Sequence, residues 1–97
     1  MPSLSSVLVS STSEDVSPGY AVYFTDTSSN SVDLNIPEIM ANGLHFYFRN
    51  IDVSPTSNET HINAFSGNTV EGQSSYLLVT GSFVHLVAFG TNWYIIG

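Results

Sequence analysis

Short runs of alternating apolar and polar residues recur along this chain, and they limit its fold more than any other feature. Residues 31–36 and 44–49 alternate strictly, and residues 60–65 alternate until Phe65, which falls on the polar side. A period of two is that of a β-strand with one buried face. Turn-forming residues separate the runs about every 8–12 residues, as in sandwiches and barrels. The pattern predicts an all-β fold, a small antiparallel β-sandwich or barrel-like domain.

Three local predictions refine this picture. Residues 37–42, between a proline and Gly43, predict one helical turn. Gly81 and Ser82 separate two apolar runs and predict a two-residue β-hairpin. The run 83–89 is apolar on both faces, so it predicts a central strand that is covered on both sides. No internal repeat of fixed period is present.

The chain is too short to build a large core. Its 97 residues correspond to one domain, and such a domain buries only about 60–65% of the surface of its unfolded chain. Small domains commonly compensate with disulfides, metals or oligomerisation. Cysteine is absent, which excludes disulfides and thiolate metal sites. Assembly with other chains is therefore the expected source of extra stability.

The charge balance argues against two classes of partner. Eight acidic residues accompany a single arginine, Arg49, and no lysine, for a net charge of −7. Nucleic-acid phosphates and anionic membranes both attract Lys and Arg, so we predict neither nucleic acid nor membrane as a partner. No apolar run is as long as a transmembrane helix, and the N-terminus lacks a signal-peptide pattern. Synthesis in a cytoplasm is the expectation.

The three histidines do not form a recognisable catalytic or metal-binding pattern. No Gly-x-Ser-x-Gly motif frames a serine nucleophile, and His85 lies within an apolar run. His45, His61 and Asp33 would approach one another only if their strands were neighbours, and their spacing matches no known zinc motif. We therefore predict no enzyme activity, no cofactor and no metal site.

Two interpretations of the aromatic residues stay open. Trp93, the only tryptophan, is interpreted as an anchor of the core or of an interface, because a small core needs its largest apolar side chains. In the alternative, Tyr76 and Trp93 contribute to a stacking surface for a glycan.

Arg49 is also open to two interpretations. An arginine in a chain without lysine is not a solubility device, and its guanidinium is suited to a bidentate ion pair with an acidic residue of its own chain or of a neighbouring subunit. Otherwise it is an exposed strand residue beside Asp52, where an ion pair contributes under about 1 kcal/mol. We favour the ion pair.

The order of four segments resembles a known module. Residues 32–37 alternate and end in Ile-Pro, residues 42–50 contain a glycine and then an aromatic strand that ends in Arg-Asn, residues 66–72 contain a Gly-x-Thr-Val-x-Gly step, and residues 84–96 end in Gly-Thr-Asn-Trp-Tyr-Ile-Ile. Across residues 20–97 this arrangement is similar to the small all-β modules of phage and virus head-fibre, tail-fibre and capsid-decoration proteins. The resemblance implies an all-β, usually trimeric module on a virus surface, without enzyme activity or cofactor.

From this resemblance we expect a virion structural protein of a bacteriophage or another virus. It would be a minor capsid-decorating or head-fibre protein that is made in the host cytoplasm and forms a homotrimer on the particle surface. Four aromatic residues are expected at the trimer interface or in the core: Phe65, Phe83, Phe89 and Trp93. The alternative is a receptor- or glycan-binding module of a tail fibre that contacts a glycan of the host surface.

The N-terminal segment is interpreted separately from the resemblance. Residues 1–19 are rich in serine, and Leu4, Val7 and Val9 are spaced among the serines. We expect this segment to be an arm that attaches the single domain, residues 20–97, to the major capsid protein or another virion protein.

Overall fold

Ten β-strands form two sheets in the computed structural model of the chain, which describes residues 6–18, 21–52 and 58–96. The strands are β1 Ser6–Val9, β2 Ser13–Asp15, β3 Val22–Thr25, β4 Val32–Asn35, β5 His45–Asn50, β6 Thr60–Asn63, β7 Thr69–Val70, β8 Ser75–Leu78, β9 Phe83–Phe89 and β10 Asn92–Ile95. The described ranges contain no helix that is long and apolar enough to cross a membrane. The predicted all-β class is confirmed.

The chain alternates between the two sheets. Sheet A has the strand order β1-β3-β5-β9-β10-β7, and sheet B has the order β2-β4-β6-β8. In the first three circuits the chain adds one strand to sheet A and then one to sheet B. As a result β1, β3 and β5 pair in parallel, and so do β2, β4 and β6. The polypeptide is therefore coiled around a core that both sheets share.

Residues of successive circuits stack in register. Val7 aligns with Tyr23 and Tyr23 aligns with Phe48, and all three side chains pack in the core. The interval between Val7 and Tyr23 is much shorter than the interval between Tyr23 and Phe48. Because the circuits differ in length, the stacking leaves no repeat of fixed period in the sequence.

Antiparallel strands close one end of the coil. β8 and β9 run antiparallel to β6 and β5, and β10 forms a hairpin with β9. β7 pairs in parallel with β10 at the edge of sheet A and also contacts β8 of sheet B. Glu71, just after β7, has the unusual φ of 49°, and its carboxylate accepts the backbone N–H of Ile95 over 2.9 Å. This hydrogen bond joins β10 to the turn that follows β7.

The core lies between the inner faces of the two sheets. Sheet A contributes four aromatic side chains, Tyr23, Phe46, Phe48 and Trp93. Sheet B contributes aliphatic side chains, Val32, Leu34, Ile62 and Leu78. Burying one such side chain stabilises a fold by about 1.5–3 kcal/mol. The hydrophobic effect of these residues is thus the main force that holds the sheets together.

Two polar contacts are also built into the core. The hydroxyls of Thr25 and Thr60 share a hydrogen bond of 2.7 Å that links β3 of sheet A to β6 of sheet B. The amide of Asn50 donates to Oγ1 of Thr27 over 3.3 Å. All four residues are buried. Because buried polar groups need partners, these contacts favour one placement of the sheets over others.

The prediction of an antiparallel sandwich is wrong in strand direction. Among the ladders that join the described strands, five are parallel and three are antiparallel. Alternation indicates which face of a strand is buried, but it carries no information on the direction of the neighbouring strand. Parallel pairing needs a long connection, and here each connection contains a strand of the other sheet.

The predicted hairpin at Gly81 and Ser82 is also wrong. The chain does turn there, with φ 80° at Gly81, a conformation that glycine adopts without strain. However, β8 belongs to sheet B and β9 belongs to sheet A. The turn therefore carries the chain from one sheet to the other and does not pair the strands on its two sides.

The helical turn predicted for residues 37–42 is absent. The segment is irregular. The backbone N–H of Ile39 donates to Oδ1 of Asn68 over 3.0 Å, and that of Gly43 donates to the carbonyl of Ala88 over 2.8 Å. These bonds to distant parts of the chain satisfy backbone N–H groups within and next to the segment while it follows an irregular path.

The described part of the serine-rich segment lies within the two sheets. Residues 6–18 include β1 and β2, which pair with β3 and β4. Val9 and Val16 are buried in the core. Residues 1–5 and 19 of the predicted arm lie outside the described residues, and attachment through this segment stays a prediction.

Candidate functional site on the outer face of sheet A

The outer face of sheet B is polar, and hydrogen bonds join its side chains across the strands. Asn35 Nδ2 donates to Asp15 Oδ1 over 3.3 Å, and Asn63 Nδ2 donates to Asn35 Oδ1 over 3.2 Å. Ser75 Oγ then donates to Asn63 Oδ1 over 2.9 Å. The four residues occupy one register position on β2, β4, β6 and β8. This row is called the polar ladder, and it satisfies much of its own hydrogen-bonding capacity.

His61, on the same face, lies between two carboxylates. Its Nδ1 is 3.2 Å from Asp33 Oδ1, and its Nε2 is 3.3 Å from Glu59 Oε1. The register of β4 and β6 brings Asp33 and His61 together. His45 lies on sheet A, so the three residues considered together in the sequence do not converge.

The outer face of sheet A is apolar. Its exposed side chains include Leu8 (56% exposed), Phe83 (60%) and Phe89 (65%), together with Tyr47 and Tyr94. They come from β1, β5, β9 and β10, and the surface they form is called the aromatic face. Along β9 the inward residues are buried, whereas outward Phe83 and Phe89 are exposed and outward His85 and Val87 are only partly buried in the single chain. The prediction that the strand 83–89 is covered on both sides is therefore wrong for one chain.

A shallow groove of about 280 Å³ crosses the aromatic face. Val22, Phe24 and Tyr47 line it together with Arg49 and Phe83. The guanidinium carbon of Arg49 lies 5.7 Å from the centre of the Phe83 ring, which is a cation–π contact. Within the described part of the chain no carboxylate pairs with Arg49. An ion pair with a neighbouring subunit stays a prediction.

His45, Tyr47 and His85 form a compact cluster beside the groove. β5 and β9 pair Tyr47 with His85, and the two rings stack at 3.9 Å with 12° between their planes. His45, earlier on β5, places its Nδ1 3.1 Å from Nε2 of His85. Burial, and then the charge of His45, lower the pKa of His85 below its ordinary value of 6.5. His85 is therefore mainly neutral near pH 7.

The predicted site residues do not form one cluster. Phe83 and Phe89 lie on the aromatic face, whereas Phe65 is exposed in the loop after β6. Trp93 is a core residue with 0% exposure, and Tyr76 is partly buried and packs against the core. The indole of Trp93 is not accessible for stacking on a sugar in this chain.

Three exposed members of the aromatic face were not predicted as site residues. Tyr47 had a usable signal, because strict alternation places it opposite the buried Phe46 and Phe48. Tyr94 had a similar signal, because it alternates with the buried Trp93. The placement of Leu8 on the same face as β9 follows only from the assembly of sheet A.

The described residues offer little for metal-dependent or nucleophilic chemistry. They contain no group of three His, Cys, Asp or Glu side chains placed to hold a metal ion. The histidine hydrogen bonds among them lead to another histidine or to a carboxylate. The aromatic face is instead suited to binding through apolar contact.

No protein-family model matches this chain, and no curated protein matches its sequence. The aromatic face, with its groove and its histidine–tyrosine cluster, is therefore the basis on which a function is proposed.

Proposed function

We propose that this protein is a non-enzymatic structural component of a virion surface, a minor capsid-decorating or head-fibre protein, and that it forms a homotrimer through the aromatic face. One observation carries the proposal. The outer face of sheet A is apolar and exposed, while the outer face of sheet B is polar and hydrogen-bonded within itself. A contiguous apolar surface on a small domain is typical of an interaction site.

The distribution of charge supports contact between copies at this face. The chain carries a net charge of −7, so two copies repel each other at most approaches. None of the outward residues on the strands of sheet A is acidic. Aromatic residues such as Phe83 and Phe89 are enriched in the buried centres of interfaces. Association through the aromatic face thus buries exposed apolar side chains and brings no outward strand carboxylates of sheet A together.

The virion as the place of assembly is proposed from the sequence resemblance. Residues 20–97 resemble head-fibre and capsid-decoration modules, which are usually trimeric and stand on virus surfaces. In this proposal residues 1–19 contribute contacts to the major capsid protein or another virion protein.

The trimer is tested by sedimentation and light scattering on the full chain over a range of concentrations. We expect three times the mass of one chain. A Phe83→Ser, Phe89→Ser double variant should raise the apparent dissociation constant about several hundredfold, because central aromatic anchors each contribute about 2 kcal/mol or more. Leu77→Ser is the matched control, since Leu77 is an exposed apolar residue (44%) on the outer face of sheet B.

Two results would overturn different parts of the proposal. A monomer at every concentration, with a cooperative thermal transition, contradicts the trimer. Cryo-electron microscopy of particles from a culture that expresses the chain tests the location, and a particle surface without it contradicts the virion role even when the trimer forms.

A second candidate function is a receptor- or glycan-binding module of a tail fibre. The groove favours it, because Arg49 lies beside the aromatic rings of Tyr47 and Phe83. Aromatic faces next to a cation suit a glycan that carries a carboxylate. Binding to acidic glycans that is lost in Tyr47→Ala and kept in Leu77→Ala, with both variants folded, would support this function.

A further inference from the structure

The His45–His85 pair has a geometry that packing on the aromatic face does not require. Nδ1 of His45 and Nε2 of His85 are 3.1 Å apart, and the two rings are inclined by 72° with their centres 5.2 Å apart. Each nitrogen has a lone pair when its own proton resides on the other nitrogen of the ring. Two imidazole nitrogens therefore approach one common region above sheet A.

Both rings are held by their surroundings. They belong to β5 and β9, which are neighbouring strands in the interior of sheet A. Tyr47 stacks on His85 at 3.9 Å and meets His45 edge-on, with ring centres 5.9 Å apart. The pair is thus oriented by the sheet and by one aromatic ring, so that binding an ion costs little further ordering.

We propose that His45 and His85 form a two-histidine chelate for a divalent transition metal of the imidazole-preferring class, such as Zn²⁺ or Cu²⁺. Metal–nitrogen bonds of about 2.0–2.1 Å place two ligands in neighbouring coordination positions about 2.9–3.4 Å apart. The observed separation of 3.1 Å lies in this range. Both rings bind as neutral imidazoles, with their protons on Nε2 of His45 and Nδ1 of His85. Water supplies the remaining ligands.

The surroundings of the pair select this class of ion. Ca²⁺ and Mg²⁺ require oxygen ligands, and the outward strand residues of sheet A include no carboxylate. Imidazole is the ligand that Zn²⁺ and Cu²⁺ accept readily. Both ligands belong to one chain, and they lie on the same face through which the homotrimer is proposed to form.

His61 provides an internal control. Each of its ring nitrogens already has a carboxylate partner, Asp33 at 3.2 Å and Glu59 at 3.3 Å. Asp33 and Glu59 contact opposite nitrogens of the His61 ring, and neither is an imidazole. His61 therefore lacks the second histidine ligand that the proposed chelate requires. Removing His61 should leave the chelate intact.

The test is electron paramagnetic resonance of the full chain with one equivalent of Cu²⁺. We expect a spectrum with coupling to at least two histidine nitrogens. His45→Ala and His85→Ala should each remove one nitrogen and weaken Cu²⁺ binding about tenfold or more, while His61→Ala should change neither. Zn²⁺ added below one equivalent should shift the imidazole NMR signals of His45 and His85 together and leave those of His61 in place.

The outcomes separate chelation from nonspecific binding. A two-nitrogen spectrum that persists in His45→Ala, or that is lost in His61→Ala, overturns the proposal. So does Zn²⁺ that shifts His61 first. Circular dichroism confirms that each variant is folded, and since His45 is exposed, His45→Ala keeps the test decisive even if His85→Ala is unstable.

Discussion

Trp93 shows what one residue contributes to this small fold. It is among the fully buried side chains, and its ring lies 5.7 Å from that of Phe46. Within the described residues its Nε1 has no hydrogen-bond partner, and an unpaired buried donor costs about 1–3 kcal/mol. Packing of the indole in the core must therefore stabilise the fold by more than this cost.

Trp93→Ala should lower the free energy of unfolding by about 3–5 kcal/mol, because it leaves a large cavity in the core. Trp93→Phe should cost much less, since it keeps an aromatic ring and removes the unpaired N–H. Urea denaturation followed by circular dichroism measures both changes. Phe65→Ala, at an exposed position, should stay within about 0.5 kcal/mol of the wild type. Equal losses at Trp93 and Phe65 would show that the indole does not anchor the core.

Protonation of one residue, His85, makes the folding stability depend on pH. Burial first, and then the charge of His45, lower its pKa from 6.5. Tyr47 and Arg49 of β5 and Tyr94 of β10 are the other titratable or charged groups around it on this face. Below the ordinary value of 6.5 the unfolded chain binds a proton at His85 more readily than the folded chain does. Folding stability therefore decreases as the pH falls from 6.5 through the lower folded pKa.

An NMR titration of the protein in EDTA should place the midpoint of His85 below 6.5. His45→Ala should raise that midpoint by removing a nearby positive charge, but not to the ordinary value, because burial remains. His85→Gln should flatten the dependence of stability on pH between about pH 7 and pH 5. A His85 midpoint at or above 6.5 in the wild type would contradict the argument.

At the scale of the elements, the sequence predicts which residues of a strand face the core, but it does not predict which strands pair. Alternation correctly placed Phe46 and Phe48 inward on β5, with Tyr47 outward. That result depends only on neighbouring residues in the sequence. The contact of Tyr47 with His85 depends on the register of β5 and β9, which are far apart in the chain. No local pattern encodes that register, so the histidine–tyrosine cluster could not be predicted.

For the same reason, the sequence did not predict the strand pairing of the fold or which residues meet on the aromatic face. A circuit that visits the other sheet and an antiparallel hairpin both produce alternating strands separated by turns, so the sequence pattern does not distinguish them. Phe83 and Phe89 were predicted as interface residues because they are large and apolar. Their position on the same face of sheet A as Leu8 and Tyr94 follows from the order and register of the strands.

The hydrogen bond between Thr25 and Thr60 is a test of how the two sheets are joined. Thr25→Val or Thr60→Val alone should lower the free energy of unfolding by about 1–3 kcal/mol, because each leaves one buried hydroxyl without its partner. The double variant should cost clearly less than the sum of the two, since no hydroxyl then remains unpaired. Chemical denaturation of the four proteins gives this coupling. Additive losses would show that the two hydroxyls do not act as a pair.

At the scale of the whole molecule, two unlike outer faces enclose one core. The polar ladder and the carboxylates around His61 keep the outer face of sheet B hydrated. The outward strand residues of sheet A carry no acid, although the chain has eight acidic residues and one arginine. Acidic charge is therefore kept away from the aromatic face, and association through it joins apolar surfaces while the acids stay in water.

This arrangement predicts an unusual response of the proposed trimer to salt. Each chain carries a net charge of −7, so long-range repulsion opposes assembly, and salt screens that repulsion over about 10 Å at 0.1 M. The apparent dissociation constant should fall as NaCl rises from about 20 mM to about 300 mM. Arg49→Gln should steepen this trend, because it removes the only arginine and makes each chain more acidic. Sedimentation equilibrium measures both, and dissociation promoted by salt would instead indicate that ion pairs of Arg49 dominate the contact.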